Sequence, residues 1–186
     1  MLFLPGVLVL LFLGWSLQAS GRSPITPSDA TMVRVVPAAV SLQSVGERAT
    51  LDICLEDVEA IYGIDVRLHF DPAVVSVPAG RVTPQWEVFD ASSHFVVKNE
   101  ADNTAGTVWY AITNINPAQP FSGSGRICSL EFRGDAEGLS AVEFTYAKGS
   151  DRNGTPIWPA MVNGLITVGE VHVGRPAAWL PLVVFE

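Results

Sequence analysis

The chain has 186 residues, close to half of them hydrophobic, with a formal charge of −8 and a pI near 4.8. That length suits one domain with a sizeable core. The acidic balance argues against a nucleic-acid partner, which would need a basic patch to meet phosphates. It leaves two readings of the charge: plain solubility, or an acidic face turned toward a basic or polar partner.

The chain opens with LFLPGVLVLLFLGWSLQASG, apolar from Leu2 to Leu17 and followed by the small residues Ala19, Ser20 and Gly21. The run is short for a membrane-spanning helix and reads as a secretory signal over residues 1–21, although no Lys or Arg precedes it. No Cys stands at the cleavage region, which speaks against a lipoprotein. Residues 22–31, RSPITPSDAT, form a Ser/Pro/Thr linker without periodicity. A single domain is expected over 32–170.

Within it, MVRVVP predicts a first strand beginning at Met32. Two alternating runs then dominate residues 46–72 and are expected to be joined by a short turn that contains Glu56 and Asp57. In the first, Leu51, Ile53 and Leu55 oppose Thr50, Asp52 and Cys54; in the second, Ile64, Val66, Leu68 and Phe70 oppose Gly63, Asp65, Arg67 and His69. A period of two with one apolar face is the mark of a half-buried strand, because successive side chains leave opposite faces. Asp71-Pro72 stops the second run, since proline cannot continue a central ladder. AVVSVP is a further short strand, and residues 80–90 read as a loop.

Residues 95–99 and 107–113 predict a hairpin around the turn-rich ADNTAG. The loop NINPAQPFSGSG leads to strands at 126–133, 141–147 and 165–168, with SDRNGTP as a turn before the last. About nine strands at this spacing, and nothing periodic at 3.6, predict an all-β sandwich. The tail, residues 171–186, carries an apolar segment over 177–185 that is too short to span a bilayer. It is open between an added edge strand, a sorting or attachment signal and a disordered end.

An even cysteine count in an exported chain permits a Cys54–Cys128 bridge. The alternation, however, turns Cys54 outward and Cys128 inward with Leu130 and Phe132, so a bridge would be strained unless a bulge shifts one register. Neither cysteine has a metal-ligand neighbour at zinc spacing.

No catalytic constellation stands out. His69, His94 and His172 occur singly, FSGSG lacks the glycine two before serine that a nucleophile elbow needs, and Glu56-Asp57 reads as a solvated pair. No enzyme and no cofactor are expected. SDRNG resembles the start of a calcium loop without its closing glutamate, and Asx-Gly turns commonly join hairpins. The three-dimensional gathering of Asp71, Asp102 and Asp151 is left open.

Alternation in TVWYAIT buries Val108, Tyr110 and Ile112 and turns Trp109 and Ala111 outward. With Asp65, Arg67 and His69 on the same sheet, and Glu143 and Thr145 extending it, these residues predict a mixed aromatic and charged patch. Trp and Arg concentrate binding energy where a partner excludes water. His69 would add a response below neutral pH. The alternative is a carbohydrate-binding module for a plant-type polysaccharide, with Trp86, Trp109 and Trp158 as stacking residues. Such a surface needs several coplanar aromatics, and these fall on different strands and loops.

VGERATLDICLEDVEAIYGIDVRLHFDPAVVSV, followed in order by GTVWYAIT, SGSGRICSLEFR and NGLITVG, resembles a cohesin domain over roughly residues 33–169. Cohesins are extracellular modules, known mainly from bacterial cellulosomes, that hold dockerin-bearing proteins. The resemblance implies a nine-stranded β-sandwich of jelly-roll topology, related to certain cellulose-binding modules, in a secreted or cell-surface protein. It implies that a dockerin or dockerin-like partner lies on the sheet formed here by residues 63–70, 95–99, 107–113 and 141–147. Asp65 matches an aspartate that contacts dockerin in that family. Gly63 stands where the best-known members carry asparagine, a departure that bears on specificity.

Overall fold

The computed structural model describes residues 31–170; the proposed signal, most of the linker, the tail and His172 lie outside the described residues. Thirteen strands and no helix occur among the described residues. They run β1 Met32–Val36, β2 Ala39–Leu42, β3 Arg48–Ile61, β4 Gly63–His69, β5 Val75–Ser76, β6 Thr83–Pro84, β7 His94–Asp102, β8 Thr107–Asn114, β9 Phe121–Gly134, β10 Gly138–Ser150, β11 Pro156–Ile157, β12 Ala160–Val162 and β13 Gly164–Val168. One sheet has the order β12-β1-β3-β9-β5 with β6 also on β9; the other has β2-β13-β10-β4-β8-β7 with β11 on β10. The fold is therefore the expected all-β sandwich. β5 is the short strand expected in AVVSVP, whereas β6, β11 and β12, only two or three residues long, lie where no strand was expected.

The core lies between the sheets and follows the alternation of the two dominant runs. Leu51, Ile53 and Leu55 of β3 face Ile64, Val66 and Leu68 of β4, all buried. Phe70, just past β4, meets Phe132 of β9 edge to face, with ring centroids 5.5 Å apart and planes at 80°. Val108, Tyr110 and Ile112 of β8 complete the inner layer, as TVWYAIT predicted. Apolar surface removed from water in this way is the main force holding two such sheets together.

The segment between the two runs differs from the expected turn. β3 continues to Ile61 through two interruptions of its pairing with β9, and Asp57 and Ala60 take left-handed backbone there, both at φ 51°. The amides those bulges free are donated to side chains: Asp57 N to Ser124 Oγ at 3.0 Å and Ala60 N to Ser122 Oγ at 2.9 Å. The serines of FSGSG thus belong to β9 and mend the bulged ladder rather than lying in a loop. Glu56, assigned to that turn by sequence, pairs from β3 with Arg34 of β1 at 3.0 Å. Only Tyr62 separates β3 from β4, so the chain crosses between sheets at that residue.

Each of Asp71, Asp102 and Asp151 accepts from the backbone of its own turn. Asp71 takes the amide of Ala73; Asp102 those of Thr104 and Ala105; Asp151 those of Asn153 and Thr155. These bonds hold the Asp102 and Asp151 carboxyls below the usual carboxylate range. Among the described residues, no group of three or more His, Cys, Asp or Glu is placed to hold a metal ion, and no helix is long and apolar enough to cross a membrane.

Candidate functional site

Four antiparallel strands, β7, β8, β4 and β10, lie side by side in the second sheet, and their registers set out the outer face row by row. His69 lies between Thr107 and Glu143. Arg67 lies between Trp109 and Tyr146, and Asp65 between Ala111 and Lys148. On the far side of β8, Glu100 stands beside Trp109 and Lys98 beside Ala111. The alternation of β4 and β8 puts one side chain in two on this face, so the spacing of Asp65, Arg67 and His69 follows directly from strand geometry.

The middle of the face is a bonded network. Trp109 Nε1 donates to Asp65 Oδ1 at 2.9 Å, and Arg67 Nη2 meets Asp65 Oδ2 at 3.2 Å. The Arg67 guanidinium lies 4.2 Å from the Trp109 ring centroid and 4.9 Å from that of Tyr146, so one cation links two aromatic rings. Tyr146 in turn meets Trp158 edge to face at 6.3 Å. Lys98, paired with Glu100, reaches to 5.3 Å from the Trp109 centroid on the other flank. Trp109 keeps 39% of its surface exposed. It is a large ring held in one orientation by Asp65 and Arg67, yet open to a partner.

The predicted residues separate on inspection. Asp65, Arg67, His69, Trp109, Glu143 and Thr145 all lie on this sheet with their side chains toward the outer face. Ala111 occupies the expected register, but only 7% of its surface is exposed. It contributes floor, not contact surface. Tyr146, Lys148 and Trp158 join the site unannounced. Strict alternation along β10 gives Thr145 and not Tyr146 to the outer face. A register shift between Phe144 and Tyr146 puts Thr145 and Tyr146 both on the outer face.

Beside the network lies a shallow depression of about 400 Å³, floored by Gly63, Ala111 and Thr113 and edged by Asp65, Val97 and Lys148. Its depth at Gly63 depends on the missing side chain: a Cβ there would come within 3.0 Å of Thr113 Oγ1. Asparagine at this position would crowd Thr113, so the departure at Gly63 is matched by its neighbour. Phe95 and Val97, both well exposed, extend the apolar rim along β7.

The three tryptophans considered for polysaccharide do not form one cluster. Trp109 and Trp158 belong to the chain of rings around Arg67, whereas Trp86 packs on His94 with centroids 4.4 Å apart. His69 and His94 are thus on separate parts of the molecule. Cys54 and Cys128 are both free thiols.

No protein-family model and no curated protein sequence matches the chain. Solved structures do. A chain of a complex between the dockerin CaDoc0917 and the cohesin CaCohA2 is similar with a TM-score of 0.61 at 22% identity, over 74% of this chain and 99% of that one. The Coh-OlpC–Doc435 complex, a type I cohesin–dockerin pair from Clostridium thermocellum, gives a TM-score of 0.60 at 14% identity over 75% and 92%. The non-cellulosomal cohesin of the archaeon Archaeoglobus fulgidus gives 0.56 at 15% identity over 76% and 92%. The described domain has the cohesin fold.

Proposed function

We propose that this protein is a secreted, non-catalytic binding module of cohesin type, whose β7-β8-β4-β10 face receives a dockerin or dockerin-like domain in an extracellular assembly. The observation that carries the reading is the Asp65–Arg67–Trp109–Tyr146 network. It is a preorganised aromatic and charged cluster in the middle of the sheet face, and interface hot spots favour Trp, Tyr and Arg, which cost less to order when their rotamers are already fixed before binding. The cohesin fold and the cohesin–dockerin complexes among its structural neighbours support the same assignment. His69, Glu143 and Thr145 form the polar margin of the face, with Ala111 beneath it.

The test is a titration of the full-length protein against a panel of purified dockerins by calorimetry, with Trp109→Ala alongside. At least one dockerin is expected to bind. The variant is expected to weaken that binding about 30-fold or more, which corresponds to roughly 2 kcal/mol for a hot-spot ring. Absence of binding across the panel, or binding indifferent to the substitution, would refute the proposal.

A further inference from the structure

We infer that the cleft between residues 86–90 and 117–121 is a second, separate binding site, which takes one pyranose ring of a neutral glycan against Trp86. The cleft measures about 440 Å³ and shares no lining residue with the depression on the sheet face. Small-ligand sites commonly span about 300–1,000 Å³, so its size fits a sugar ring with its neighbour.

The cleft is held open by its own framework. Asn114, at the end of β8, is only 2% exposed and ties both walls with one amide: its Oδ1 accepts from Asp90 N at 3.0 Å and its Nδ2 donates to Gln119 O at 3.3 Å. Arg126 fastens the outer wall, donating from its backbone N and its Nε to the Glu87 carboxylate at 2.8 and 2.7 Å. These bonds hold Glu87 below the usual carboxylate range. From outside the cleft His94 packs on the Trp86 indole, and its Nδ1 lies 2.9 Å from Asp90 O. Despite this bracing the indole remains 44% exposed.

A rigid aromatic plate at the mouth of a preformed cleft matches the C–H face of a sugar ring. The polar complement is also suitable. Asp90 Oδ1 accepts from Ser92 N and Ser93 N, which leaves Oδ2 for a ligand, and Gln119 donates through Nε2 to Pro117 O, which leaves Oε1. Both remaining atoms are acceptors and suit hydroxyl donors at the ring's edge. Glu87 is neutralised by Arg126, but the Asp90 carboxylate in the wall has no cation against it among the described residues and disfavours an acidic sugar, which selects a neutral one. The site is independent of the face proposed for dockerin, so either assignment can fail without the other.

The experiment is an NMR titration of the ¹⁵N-labelled full-length protein, following the tryptophan indole resonances, with cellotetraose, xylotetraose, mannotetraose and a decaproline peptide as separate probes. Trp86→Ala assigns the resonance, and Trp86→Phe keeps an aromatic plate. At least one oligosaccharide is expected to shift the Trp86 indole saturably. Affinity should fall at least tenfold in Trp86→Ala, recover in large part in Trp86→Phe, and stay unchanged in Trp109→Ala. The inference is overturned if no oligosaccharide moves that resonance, if sugar binding survives Trp86→Ala intact, or if decaproline alone moves it.

Discussion

Cys54 and Cys128 sit on neighbouring strands, yet they face opposite sides of the sheet. Ile53 is the register partner of Cys128, and Cys54 that of Arg126, across a bulge. The bulge does not bring the sulfurs together. Burial pushes the Cys54 thiol up to about 11, with the Asp52 carboxylate adding to the effect, and burial also raises the Cys128 thiol well above its ordinary value. A thiol whose folded pKa lies above its unfolded value contributes stability that is complete below the unfolded pKa, near 9. That contribution is lost as pH rises toward the folded one. The melting temperature is therefore expected to fall between about pH 9 and pH 11. The Cys54→Ser, Cys128→Ala double variant should show a shallower fall in calorimetry at the same pH values. An identical slope in both proteins would show that the thiols are not the cause.

The hairpin β7–β8 carries Trp109 and is closed by a turn with little room for change. Gly106 takes φ +65°, and a Cβ there would lie 2.2 Å from the Phe70 carbonyl oxygen and 2.7 Å from Pro72 Cδ. Phe70 N donates to the Gly106 carbonyl at 2.8 Å, which binds the turn to the end of β4. Gly106→Ala combines left-handed backbone with a collision and should cost about 3 kcal/mol or more, roughly 10 °C in melting temperature. Thermal unfolding by circular dichroism measures it, and a loss under about 1 kcal/mol would mean the turn relaxes. At this scale the sequence is a good guide where side chains alternate against a buried layer. β4 and β8 are legible down to the direction of each side chain, and with them Asp65, Arg67 and Trp109. It fails where the period breaks. The bulges in β3 and β10 add a residue to one strand without any compositional mark, which hid Tyr146 and turned the serines of FSGSG into a supposed loop. β11 and β12 are too short to show a period at all, so the placement of Trp158 beside Tyr146 was not readable. Its position follows from the pairing of Ile157 with Gly149, a long-range fact that local pattern does not contain.

Across the whole domain, the first and last segments run side by side in both sheets. β1 pairs in parallel with β12, starting at Met32 and Ala160, and β2 pairs in parallel with β13, finishing at Leu42 and Val168. The described chain thus begins at one end of this paired run and finishes at the other, roughly 30 Å away for extended backbone of that length. Such an arrangement has a mechanical meaning. Tension applied through the two ends acts along the strands, and every hydrogen bond of the parallel ladders is loaded together in shear. Tension applied at one end would open them one after another, like a zip. Single-molecule pulling through handles at Thr31 and Glu170 should therefore require a markedly higher force than pulling through Thr31 and Pro159, which lie at the same end. Equal forces would show that the ladders do not bear the load. A module joined at both ends to other parts of an extracellular assembly would, by this geometry, meet a pull along its axis in its strongest direction.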